Sequence, residues 1–61
     1  MNVIRARQIE REAKIEQVKT IIKNTENKEE ITVKVMSILG LSNRTAKEYI
    51  QVAMYRIDKG I

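Results

Sequence analysis

Thr32-Val33-Lys34-Val35-Met36-Ser37-Ile38-Leu39-Gly40-Leu41-Ser42-Asn43-Arg44-Thr45-Ala46-Lys47-Glu48-Tyr49-Ile50 is the stretch on which the fold turns. Two apolar patterns of helical period meet in it at a glycine. Val35, Ile38 and Leu39 supply the buried stripe of a second helix, and Gly40 stops it, because a residue without a Cβ enters the left-handed conformation of a helix C-terminus at least cost. Thr32 is placed to N-cap this helix, with Ile31 just before it and Met36 four residues after it as a hydrophobic staple. Leu41 follows as a buried apolar residue in a tight turn, and Ser42 caps a third helix running from Asn43 to about Ile57. On that helix Ala46, Ile50, Ala53 and Ile57 recur at i, i+4, i+7 and i+11, flanked by Tyr49 and Met54. The opposite side collects Arg44, Glu48, Gln51 and Tyr55, with Lys47 beside them.

Upstream, the segment from Val3 to Lys23 contains no helix breaker and is dominated by Glu, Lys, Arg, Gln and Ala, which predicts a long first helix. Its apolar pattern changes halfway. Ile15, Val18 and Ile22 form a stripe for the core; Ala6, Ile9 and Ala13 form an earlier one, turned by more than a right angle, for which so short a chain has no partner of its own. A heptad through Met1, Ile4, Gln8, Arg11, Ile15, Val18 and Ile22, with two polar interruptions, adds a faint coiled-coil signal. Asn24-Thr25-Glu26-Asn27-Lys28 is a polar connector that separates the first helix from the second. Residues 1–61 are thus expected to form one all-α domain of three helices.

Composition narrows the chemistry. The 61 residues include no cysteine, histidine, proline or tryptophan, which removes disulfides, thiol nucleophiles, imidazole acid–base catalysis and zinc sites built on Cys or His. Two isolated glycines cannot build a phosphate-cradling loop, and the carboxylates are scattered, so no enzyme, metal or cofactor is expected. A core this small is marginal without a partner chain. No apolar run approaches the length of about 20 residues that crosses a bilayer. A small domain without disulfide staples is expected in the cytoplasm. Lysine and arginine number 12 against 8 aspartates and glutamates, for a formal charge of +4. The excess is uneven: six bases against three acids in residues 1–23, one against three in 24–31, and five against two in 32–61. An acidic connector between two basic segments points to a polyanionic partner.

The segment from Thr32 to Ile50 resembles the helix-turn-helix DNA-binding superfamily, and within it the small trihelical and winged-helix-like repressors. Val35, Leu39, Leu41, Ala46 and Tyr49 or Ile50 occupy that family's buried offsets, and Gly40 occupies the turn. Met36 stands where the family usually has a small residue, and the residues after the third helix are too few for a hairpin wing. The resemblance implies that the third helix lies in the major groove of double-stranded DNA and that the protein regulates transcription, as a homodimer with two third helices roughly 34 Å apart. Ser42, Asn43 and Arg44 then lie at a helix N-terminus that favours phosphate. Arg44 can pair with guanine, and Asn43 or Gln51 with adenine. Lys34, Lys47, Tyr55 and Arg56 are placed as phosphate contacts, and Glu48 either accepts from cytosine or pairs with Arg44.

Plainer readings stand beside these. Gly40 caps a helix with or without DNA, and Arg44, Lys47 and Gln51 also fit an ordinary solvated face. Arg5, Arg7, Arg11 and Lys14 fit either an arm on phosphates or, more readily, a face with i,i+4 pairs. Ile4, Ile9 and Ala13 form a dimerisation stripe in preference to a membrane anchor, because acids are interleaved with them. The alternative function is a small helical protein-interaction module that binds no nucleic acid.

Overall fold

The computed structural model describes the chain from Val3 to Ile61, with side chains from Arg7 onward. Helix α1 spans Val3–Asn24, α2 Lys28–Leu39 and α3 Asn43–Lys59, and no strand occurs among the described residues. The domain is all-α, three helices with the longest first. Where the helices begin and end follows from their caps. Thr25 closes α1, its hydroxyl donating to the Ile21 carbonyl at 2.7 Å, and only Thr25 to Asn27 separate α1 from α2.

The cap expected at Thr32 is overturned. Asn27 is the N-cap of α2, its side-chain oxygen accepting from the Glu29 N–H at 3.0 Å. Glu29 and Glu30 complete an acidic first turn that complements the helix dipole. Burial gives the reason. A helix begun at Lys28 places Ile31 one turn before Val35 on the same face, and these two are 3% and 0% exposed. Begun at Thr32, it would leave Ile31 outside the helix. Ile31 is therefore a core residue and not half of a staple with Met36, and Thr32 sits half-buried inside the helix.

Gly40 ends α2 in the left-handed conformation, φ 65 and ψ 36, with its N–H and that of Leu41 both directed to the Met36 carbonyl. Leu41 is half-buried against the core. Ser42, extended at φ −70 and ψ 162, caps α3 by accepting from the Thr45 N–H at 3.3 Å. That helix continues two residues past Ile57 to Lys59 before Gly60 repeats the left-handed stop.

The core consists of Ile15 and Val18 from α1, Ile31 and Val35 from α2, and Ala46, Ile50 and Ala53 from α3. Ile22, Leu39, Tyr49 and Val52 pack partly buried around it. Ile38, read as a core residue, is instead 63% exposed. It lies on the flank of the α2 stripe that looks into an open groove beside the last turns of α1, and Leu39 takes the covered flank. Met54 is likewise exposed. Between α1 and α3, the Arg56 guanidinium forks onto Glu12, the Lys19 ammonium donates to the Ile61 carbonyl, and Arg11 lies over the Tyr49 ring. These contacts ascend both helices together, so α1 and α3 pack directly on each other in the same direction, and α2 packs against both. Ile15 and Val18 carry α1 into the core, but every residue from Arg7 to Ala13 is exposed, Ile9 at 62%.

Candidate nucleic-acid interface

The polar residues of α3 become a surface because its apolar ones face inward. With Ala46, Ile50 and Ala53 fully packed, helical geometry turns positions 44, 47, 48, 51 and 55 outward. Arg44, Glu48, Gln51 and Tyr55 follow one another at intervals of three or four residues, with Lys47 beside them, and all five are exposed. They form one strip about 17 Å long along the helix. Arg44 extends 92% of its side chain into solvent, its Nε 3.7 Å from a Glu48 carboxylate oxygen. At that distance on the open surface the pair steers the guanidinium but does not sequester it.

At the N-terminal end of the strip, Ser42 is occupied by the helix itself, its hydroxyl accepting from the Thr45 N–H and donating to the Thr45 hydroxyl at 3.0 Å. The amides of Asn43 and Arg44 belong to the open first turn. Asn43 is exposed and turns its side-chain amide toward the Met36 sulfur at 3.8 Å, which ties the start of α3 to α2. At the far end, the Lys59 ammonium lies 5.9 Å from the centre of the Tyr55 ring. Sequence reading missed Lys59 because it ended α3 at Ile57; its position four residues after Tyr55 was the available signal. Asp58 is also exposed there and, with Glu48, dilutes the positive charge of Arg44, Lys47 and Lys59.

Two expected phosphate contacts are not on this strip. Lys34 borders the groove formed by Thr20, Ile21, Asn24, Thr25 and Ile38, with its ammonium 3.9 Å from Glu30. Arg56 is committed to Glu12 through bonds of 2.6 and 2.9 Å, with only 23% of its side chain exposed. That pairing holds the Glu12 carboxyl below the usual carboxylate range, chiefly through the hydrogen bond from Arg56, and holds the guanidinium protonated still more firmly. Of the dimerisation stripe, Ile9 and Ala13 are exposed, whereas the Ile4 side chain lies outside the described residues. Arg11 is drawn to Tyr49 at 6.0 Å, so it is less free for a phosphate arm than Arg7.

Among the described residues no three acidic side chains converge to hold a metal ion, and no helix is long and apolar enough to cross a membrane. Comparison of the chain with protein-family models, curated proteins and solved structures finds no match.

Proposed function

We propose that the protein binds double-stranded DNA sequence-specifically through the outer strip of α3 and regulates transcription as a homodimer in the cytoplasm, with no catalytic role. One observation carries the reading: Arg44, Lys47, Gln51 and Tyr55 stand uncovered along one side of a helix whose opposite side is core. A helix held in this way can enter a groove about 12 Å wide without rearranging the domain. Arg44, nearest the helix start and with 92% of its side chain exposed, is the base-reading side chain; Lys47 and Lys59 set register on phosphates. Ile9 and Ala13, uncovered on the projecting half of α1, supply the contact between copies.

The test is binding to duplexes recovered from a random pool, followed across salt. Affinity should fall steeply as salt rises. Arg44→Ala should cost about 1–3 kcal/mol of preference between sequences, whereas Lys47→Ala should weaken all duplexes alike and flatten the salt slope by about one. The exposed apolar side chains Ile9, Val33 and Ile38 favour a second reading, a helical protein-interaction module. A chain with no duplex affinity at about 50 mM salt would favour that reading over the first.

A further inference from the structure

Away from α3, the apolar ridge at Ile9 and Ala13 and the groove between α1 and α2 lie on one line. Ile9, Ala13, Gln17, Thr20 and Asn24 succeed one another at spacings of four, four, three and four residues, and all are exposed. They run straight down the side of α1 that faces away from Ile15 and Val18. None of them is charged. The N-terminal end of the line is a ridge; its C-terminal end, with Ile21, Thr25, Lys34 and Ile38, walls a groove of about 360 Å³. Ile9 on the ridge and Ile38 in the groove are 62% and 63% exposed. Ridge and groove are some 20 Å apart along a single helix.

A ridge and a matching groove at opposite ends of one helix face are self-complementary under a two-fold axis across the helix. We propose that two copies of the chain pair through α1 in antiparallel fashion about Gln17, each inserting Ile9 into the groove of the other. This rests on the dimer part of the reading above and specifies its geometry. With Gln17 at the axis, Ala13 meets Ile21 of the second copy and Ile9 meets Thr25, where Ile38 lies open. One symmetry operation covers Ile9 and Ile38 of both copies, as an isologous contact does. Ala13 and Thr20, being small, let the two helix backbones approach closely.

Charge agrees with this direction and opposes the other. Glu12 and Glu16 occupy one flank of the line in its N-terminal half, 57% and 61% exposed even while paired with Arg56 and Lys19 of their own chain, and Lys23 occupies the same flank near its end. Antiparallel helices bring like flanks together end for end, so Lys23 of each copy arrives beside Glu12 and Glu16 of the other. Parallel pairing sets Glu12 against Glu12 and Glu16 against Glu16, and it leaves Ile38 uncovered. The α3 strips stay free in the antiparallel pair.

The absence of cysteine makes cross-linking a clean test. Under mild oxidation, Gln17→Cys should form a disulfide dimer. Ile9→Cys alone should stay unlinked, but mixed with Thr25→Cys it should give the mixed disulfide. Sedimentation equilibrium of the unmodified chain should give twice the chain mass, and Ile38→Lys, which alters no core residue, should halve it while circular dichroism retains the helical signal. Ready self-linking of Ile9→Cys in a chain of dimer mass overturns the antiparallel geometry but leaves the dimer reading intact. A monomer mass for the unmodified chain sinks both, as does a groove that takes up only a small apolar probe in a monomer. Duplex binding enters none of these measurements, so its failure is read separately.

Discussion

Arg56 and Glu12, 44 residues apart in sequence, meet through two short parallel hydrogen bonds that join α3 to the projecting half of α1. An arginine on the flank of an amphipathic helix reads from sequence as a free cation, and only the arrival of a carboxylate from another helix shows otherwise. Their geometry matters more than their charge: the planar fork engages both carboxylate oxygens, so the pair fixes an orientation as well as a distance. The Glu12 carboxyl is held below its usual range by that bond first and by the nearby positive charge after it. Because folding lowers this pKa, the unfolded chain binds the proton more readily. The stabilisation is whole above the ordinary glutamate range near about 4.3 and fades as pH falls through the lowered value. Glu12→Gln should therefore melt below the parent at neutral pH, and the gap should close in acid. Thermal melts at several pH values measure this, and a gap that persists unchanged at the lowest pH would remove the ion pair as its source.

Among the helices, α2 shows what a single cap decides. Asn27, Lys28, Glu29 and Glu30 carry a capping amide and an acidic first turn in four consecutive residues, yet the polar run from Asn24 to Lys28 reads as uninterrupted connector. Two candidate caps, Asn27 and Thr32, are each locally acceptable, and the choice belongs to Ile31, which only the longer helix can bring under Ile15 and Val18. The same physics separates the stripes that sequence periodicity located from the one it misplaced. Ala46, Ile50 and Ala53 sit at the centre of their face and are buried wherever the neighbours fall. Ile38 sits at the edge of its face, where burial depends on how far α1 extends beside it, and no spacing records that. Removal of the true cap, Asn27→Ala, should cost about 1 kcal/mol, whereas Thr32→Ala should cost less because its side chain caps nothing. Denaturant unfolding of the two variants decides between them. The reverse order of stability would mean that α2 nucleates at Thr32.

Among the described residues the folded chain rests on three isoleucines, two valines and two alanines as its covered apolar side chains, with no aromatic ring among them. A chain of this length typically has about 3–9 kcal/mol of stability in total. Truncation of one central side chain, Ile15→Ala, is expected to remove about 2–5 kcal/mol of that. Ile9, Val33 and Ile38 lie outside this core, and as long as they face water they contribute nothing to it. Covering Ile9 and Ile38 by a second copy adds apolar burial that the single chain lacks and makes stability depend on protein concentration, since two folded chains are then in equilibrium with two unfolded ones. A rise of about a hundredfold in concentration corresponds to roughly 1.4 kcal/mol per chain, or about 5–10 °C in melting temperature for a domain of this size. The parent chain should show that displacement, and Ile38→Lys should melt at one temperature whatever the concentration. Ile15→Ala separates core from interface in the opposite sense: its melting temperature should drop at every concentration but still climb as copies are added. A parent melt that does not move with concentration would mean that the seven core residues alone hold the three helices, and that the ridge at Ile9 contributes nothing to the fold.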